Sequence, residues 1–213
     1  MLCTFEKLPA DRQEGILDAA ASVFAEEGYH YARISKVCQM AGISNGALYK
    51  YFKNKEDLFH AVLDYGVKLV VNELYVKYTV NTSSLLDAIH GFLVALVEFT
   101  EKHRDYMSIY SDLGSSSMKR FAALGSEKFE SAASMYTVQL VEDSRRRGEI
   151  AGDIRNESAA YLIDNYITFF VYSLVSEYHQ KRLESFYKTG NRAVSTEERI
   201  GLIIESIGQA LRK

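Results

Sequence analysis

A chain of 213 residues that is 47% hydrophobic and 25% charged can bury one substantial core and a small satellite, which excludes a disordered or low-complexity protein. Pro9 is the one proline and the thirteen glycines are scattered as punctuation, so helices are uninterrupted and the expected fold class is all-α. A net charge of −3 excludes a surface that is basic throughout, and Cys3 and Cys38 offer neither a disulfide framework nor a metal-ligand spacing.

Glu6, Pro9 and Asp11 precede any long apolar run, and no run of about eighteen apolar residues occurs, so neither a signal peptide nor a membrane span is expected. The protein is expected to be soluble and cytoplasmic. From Asp11, the apolar residues Ile16, Leu17, Ala20, Val23 and Phe24 recur at helical spacing until Gly28 offers a stop. Ile34, Val37, Cys38 and Ala41 predict a short helix closed by Gly42, and the cap residue Ser44 opens another containing Leu48 and Phe52. Asn54 predicts the cap of a fourth helix, with Glu56 and Asp57 suited to its positive end and the apolar stripe Leu58, Phe59, Val62 and Leu63, running to about Lys77.

Thr79, Asn81, Thr82, Ser83 and Ser84 predict a turn before an apolar helix over Leu85 to Phe99. Gly114 to Ser117 breaks the pattern. A long helix from about Gly125 through Met135, Leu140 and Val141 to Arg147 is closed by Gly148. The segment Ala159 to Phe186 is apolar around much of its circumference, which predicts a central helix or a subunit interface. A turn near Gly190 to Ser195 leads to a last amphipathic helix, Ile200 to Leu211, and no strand pattern or internal repeat is found.

Between Gly28 and Lys55 the chain carries Arg33, Lys36, Lys50, Lys53 and Lys55 and no Asp or Glu. Such a run gains meaning only on a DNA-reading element. The segment Ile34 to Phe52, ISKVCQMAGISNGALYKYF, has that anatomy: a helix, a turn containing Gly, then a second helix that starts on small polar residues. Asn45, Gly46 and Ala47 let its tip approach base edges in the major groove, while Leu48 and Phe52 anchor the opposite face.

The pieces ILDAAASVFAEEGY from Ile16, AGISNGALYKYF from Ala41 and NKEDLF from Asn54 together resemble the TetR family of repressors over about Arg12 to Leu63. The resemblance implies an amino-terminal three-helix helix-turn-helix domain, residues 1–55, and a helical ligand-binding and dimerisation domain, residues 56–213. It implies a homodimer through the last two helices, Tyr161 to Tyr178 and the helix from Ile200. Such a dimer would read a palindromic operator in double-stranded DNA with half-sites about 34–36 Å apart or a multiple of that. By position, Tyr49 is expected at a phosphate or thymine methyl, Lys50 and Tyr51 at the backbone, and Lys55 and Ser44 at phosphate. Arg33, Ser35, Lys36 and Asn45 complete the expected set, together with Gly46 and Ala47. Near Ala32 the family usually has a threonine, and alanine there can neither cap nor donate, so one phosphate contact that the resemblance implies is not expected. RRRGEIAGDI from Arg145 resembles the turn that relatives have before their penultimate helix.

For the body, Phe92, Phe99, Tyr106, Tyr110, Phe129, Tyr136, Tyr166, Phe169 and Phe170 are candidates to line an apolar pocket for a hydrophobic small-molecule effector. An enzyme is not expected. Ser116-x-x-Lys119 and Lys188-Thr189-Gly190 match two pieces of a serine β-lactamase signature, but Ser-Asp-Asn is missing and the second piece falls in a break between helices. His30, His60, His90, His103 and His179 fit no metal spacing, and no phosphate loop occurs, so no cofactor or metal is expected. The rival reading is a helical interaction or adaptor protein without DNA binding.

Overall fold

The computed structural model describes residues 3–76, 84–187 and 192–212, and no strand occurs among them. In chain order the helices are α1 (Cys3–Glu6), α2 (Ala10–Tyr31), α3 (Ile34–Ala41), α4 (Asn45–Tyr51), α5 (Lys55–Val70), α6 (Leu85–Lys102) and α7 (Arg104–Asp112). They continue with α8 (Ala122–Gly125), α9 (Ser131–Arg146), α10 (Asn156–Val175), α11 (Glu177–Phe186) and α12 (Thr196–Leu211). Wide helical turns extend α5 over Val71–Tyr75 and precede α9 over Ser126–Glu130, and a tight one covers Ser116–Phe121. Lys77, Thr79, Asn81, Thr82, Ser83 and the Lys188-Thr189-Gly190 stretch lie outside the described residues.

Two compact units divide the chain, Met1–Leu69 with His103–Gly125, and Val70–Lys102 with Ser126–Lys213. In the first, Ile16, Leu17, Ala20, Val23 and Phe24 of α2 close on Val37, Cys38, Leu48, Phe52, Leu58, Phe59, Val62 and Leu63, all buried. These are the stripes that helical spacing marked. Gly28 and Gly42 adopt φ of 71° and 63°, a left-handed conformation in which a side chain is strained, and so end α2's regular part and α3. Asn54 Oδ1 accepts from the Asp57 amide at 2.8 Å, the cap expected at the start of α5. Several elements have no counterpart in the sequence reading, α1 and α7 among them. Helix α1 buries Phe5 against Phe52, with centroids 4.8 Å apart, and α7 lies along α2, where the Tyr106 hydroxyl donates to Asp18 at 2.8 Å. A methyl added at Gly125 would meet Leu113 Cδ1 at 2.9 Å, so the Leu113 side chain would have to shift to admit it.

The second unit packs α6, α9, α10 and α12 around Ile89, Phe92, Leu93, Leu140, Val141, Ile163, Phe170 and Ile207. Ser195 and Glu198 form a reciprocal cap on α12. After Gly148, at φ 77°, Arg145 holds the turn by donating to the carbonyls of Ala151 and Ile154 and to Asn156. The apolar segment Ala159 to Phe186 is broken at Ser176, whose extended φ and ψ of −115° and 121° end α10 and begin α11. Helix α11 buries no residue, because Glu177, Lys181, Arg182 and Glu184 interrupt its apolar positions.

Candidate nucleic-acid interface

The exposed tip of the helix pair is built by the turn between α3 and α4. Gly42 lets the Ile43 amide return to the Cys38 carbonyl at 3.0 Å, which turns the chain sharply enough for α4 to start at once. Ser44 Oγ accepts from the Ala47 amide at 3.1 Å, satisfying one of the free donors at the helix start. Leu48 and Phe52 are each only 1% exposed and fix the inner face. The outer face then presents Ser44, Asn45, Gly46, Tyr49 and Lys50 to solvent, with Tyr49 52% exposed. Ala47 is half-buried beside them, and Tyr51 is half-buried with its ring edge-on to Phe5 at 5.9 Å.

Helix α3 starts without a side-chain cap, its cap position being Arg33 rather than Ala32, and Arg33 and Ser35 are exposed there. Lys36 is not free. Its ammonium contacts Glu26 at 2.7 Å and Glu27 at 3.1 Å; Lys36 holds the Glu27 carboxyl below its ordinary range, and Glu26 holds the ammonium above its own. The Arg33 amide and guanidinium also reach Glu27. The basic run is therefore partly neutralised by acids that precede it in the chain, and the exposed charge is concentrated at Arg33, Lys50 and Lys53.

Lys55 points inward. Its ammonium donates to the carbonyls of His30 at 2.9 Å and Ala32 at 3.2 Å and lies 4.9 Å from the centre of the Tyr29 ring. It closes the end of α2 that Gly28 leaves open, and burial lowers its pKa. Around this elbow His30 Nε2 contacts the Ser117 carbonyl at 2.8 Å and Arg120 pairs with Glu56. Sequence reasoning did not find this support, nor Thr4, whose hydroxyl donates to the Lys50 carbonyl at the end of α4. It also passed over Tyr31, 83% exposed beside Arg33. Periodicity marks only what is buried along one helix, and these residues act between elements.

The nine aromatic pocket candidates are dispersed. Tyr106 and Tyr110 belong to the first unit, and Tyr106 is buried on Asp18. In the second, Phe92 and Tyr136 stack at 4.9 Å, Tyr75 joins them, and Phe99 is core. Phe129 is half-buried in the wide turn before α9. Tyr166, Phe169 and Phe170 line a groove of about 790 Å³ with residues of α11 and α12.

Residues 16–62 match the family model of bacterial regulatory proteins, tetR family. Over that stretch the chain is similar to the TetR family. A fatty acid metabolism regulator protein of Bacillus subtilis is 54% identical over 43 residues, a match spanning 20% of this chain and only 22% of that protein. The transcriptional repressor KstR2 of Mycolicibacterium smegmatis is 26% identical over 159 residues, 75% of each chain. Among solved structures, a TetR family regulator from Chloroflexus aurantiacus superposes with a TM-score of 0.67 at 20% identity, covering 100% of this chain and 98% of the other. The regulator FadR of Bacillus subtilis, solved in complex with stearoyl-CoA, gives a TM-score of 0.67 at 17% identity over 90% and 97% of the two chains. The helical fold of the described residues is thus similar to these structures beyond the matched head, and no described helix is long and apolar enough to cross a membrane.

Proposed function

We propose that this TetR-type chain is a ligand-responsive transcriptional repressor that binds a palindromic operator as a homodimer and is released by a hydrophobic effector. The observation that carries the reading is the tip of α4, where small and polar side chains stand exposed over a back face that is fully buried. Residues 1–55 read DNA, residues 56–213 sense and dimerise, and the last two long helices, α10 and α12, supply the contact between subunits. Its work is binding rather than catalysis, and it acts in the cytoplasm, where bacterial DNA is accessible.

The DNA-binding set is Arg33, Ser35, Lys36, Ser44, Asn45, Gly46, Ala47, Tyr49, Lys50, Tyr51 and Lys55. Asn45 and Tyr49 face bases or thymine methyls, Lys50 and Arg33 face phosphates, and Lys55 serves the set by fixing the elbow before α3. Selection of bound fragments from random duplex DNA, followed by fluorescence anisotropy, tests the proposal. Sequence-selective, salt-sensitive binding of a two-fold symmetric site is expected, and a chain that ignores every duplex at low salt is an interaction protein instead.

A further inference from the structure

Helix α12 turns Ile200, Ile203, Ile207 and Leu211 inward and leaves Gly201, Glu205 and Gln209 exposed, with Leu202 half-buried among them. Nothing within the chain asks for a glycine at position 201. Its φ is not positive, and no atom lies within 4 Å of a methyl added there, so alanine would fit and would favour the helix. What a bare backbone on an exposed helix face does permit is the close approach of another helix.

The surface on either side of Leu202 differs in charge. Towards α10 and α11 it carries Arg199 and Arg182 and, among the described residues, no Asp or Glu; on the other side it carries Glu198 and Glu205 and no Lys or Arg. Arg199 is only 9% exposed. Its Nη1 donates to the Ser173 carbonyl at 3.2 Å and hydroxyl at 3.1 Å, its Nη2 to Thr196 at 3.0 Å, and its Nε has no acceptor. Among the described residues its guanidinium has no carboxylate within ion-pair distance, and Glu184 acts on it only at longer range. Glu198 is held by Arg192 and the Ser195 amide. Glu205 accepts only from Gln209, at 2.9 Å, which leaves it as the acid available for a cation.

A two-fold contact requires a surface complementary to itself. Opposite charges spaced equally about a central residue meet that condition. With the axis at Leu202 and α12 crossing its mate in the opposite direction, the residue three before the centre faces the residue three after it, and these are Arg199 and Glu205. Resting on the reading of the chain as a homodimer through α10 and α12, we infer that α12 crosses its symmetry mate at Gly201 and Leu202, with Arg199 of each copy paired to Glu205 of the partner subunit. The glycine, one turn before Glu205, lets the helices close until the carboxylate reaches the recessed guanidinium. Because both charges leave water, the reciprocal pair fixes register and selects a second copy of this chain more than it adds affinity.

The test is charge reversal in the full chain, read by sedimentation equilibrium. Glu205→Arg and Arg199→Glu each set like charges together twice per dimer, so self-association at least about tenfold weaker is expected for either, with a smaller defect at high salt. Mixing the two variants restores a dimer, because both contacts of the mixed pair are complementary. The double variant R199E/E205R associates with itself but not with the wild type. Gly201→Leu weakens association with circular dichroism unchanged, since its side chain has open space in the single chain. Should Arg199→Glu fail to fold, Glu205→Arg and Gly201→Leu carry the test. Association unchanged in either of these two overturns the inference, as does a mixture of folded Glu205→Arg and Arg199→Glu that associates no better than its components. Operator binding is followed on the same samples by anisotropy. A wild-type dimer that binds operator while the variants associate unchanged removes this pairing alone, whereas a wild-type chain that stays monomeric removes the homodimer reading and the pairing with it.

Discussion

Lys50 and Lys55 both belong to the proposed DNA-binding set, yet they stand in different surroundings, and salt dependence separates their proposed roles. Lys50 is exposed on α4, whereas the Lys55 ammonium is held by the carbonyls of His30 and Ala32 and by the Tyr29 ring. Each phosphate neutralised contributes about 0.9 to the log–log slope of affinity against salt, so Lys50→Met in both subunits removes about 1.8. Between 50 and 200 mM salt that difference amounts to about twelvefold, so the defect of Lys50→Met shrinks about twelvefold as salt rises. Lys55→Met leaves the slope unchanged. It strips one exposed and one part-buried carbonyl of their donor and the Tyr29 ring of its cation, which costs about 1 kcal/mol of stability in urea unfolding and lowers operator affinity equally at every salt concentration. Anisotropy titrations of both variants at several salt concentrations read the slopes directly. If Lys55→Met loses as much slope as Lys50→Met, the ammonium leaves its carbonyls for phosphate and the positioning role is wrong.

Phe5→Ala removes a side chain that is 1% exposed against Phe52 and should cost about 3 kcal/mol or more, read by urea unfolding, with weakened operator binding because α4 loses its backing. Gly42→Ala is expected to destabilise the chain by about 1–2 kcal/mol through backbone strain alone, since no atom lies within 4 Å of the added methyl, and Gly42→Asn should cost less because Asn tolerates the left-handed region. Equal losses for Ala and Asn would point to a steric cause. Burial, reinforced by Glu130, lifts the Asp164 carboxyl to about 6. The folded chain therefore holds this proton more tightly than the unfolded one, and stability contributed at low pH is lost as pH rises from about 4 to about 6. Asp164→Asn should remove that loss and raise stability at pH 7 by about 1–2 kcal/mol after solvent screening, seen as a higher thermal midpoint at pH 7 and little change at pH 4.

The head was legible because its local signals agree with its packing. Gly28, Gly42, Ser44 and Asn54 mark helix ends by backbone conformation and capping that a few residues determine among themselves, and the stripes of α2 and α5 are buried as their spacing predicts. The charge run from Arg33 to Lys55 misled for the opposite reason: Glu26 and Glu27 precede it in sequence and fold back onto Lys36 and Arg33. Helix α1 went unseen because Phe5 is a lone aromatic in a four-residue helix, too short for any period to register. The break at Ser176 was hidden because the apolar residues of α10 continue into α11 in composition, although not in burial.

That last difference bears on how function is divided along the chain. Residues of the head are fixed by contacts within the chain, whereas α11 is bare of buried residues and α12 offers a recessed cation with no ion partner. A surface left energetically incomplete in one place, while the rest of the unit packs as a closed core, is the place where a second molecule can change the balance of conformations. On the proposed reading that second molecule is another copy of the chain, whose α10 and α12 would cover the exposed Tyr161 and Phe169 of this face.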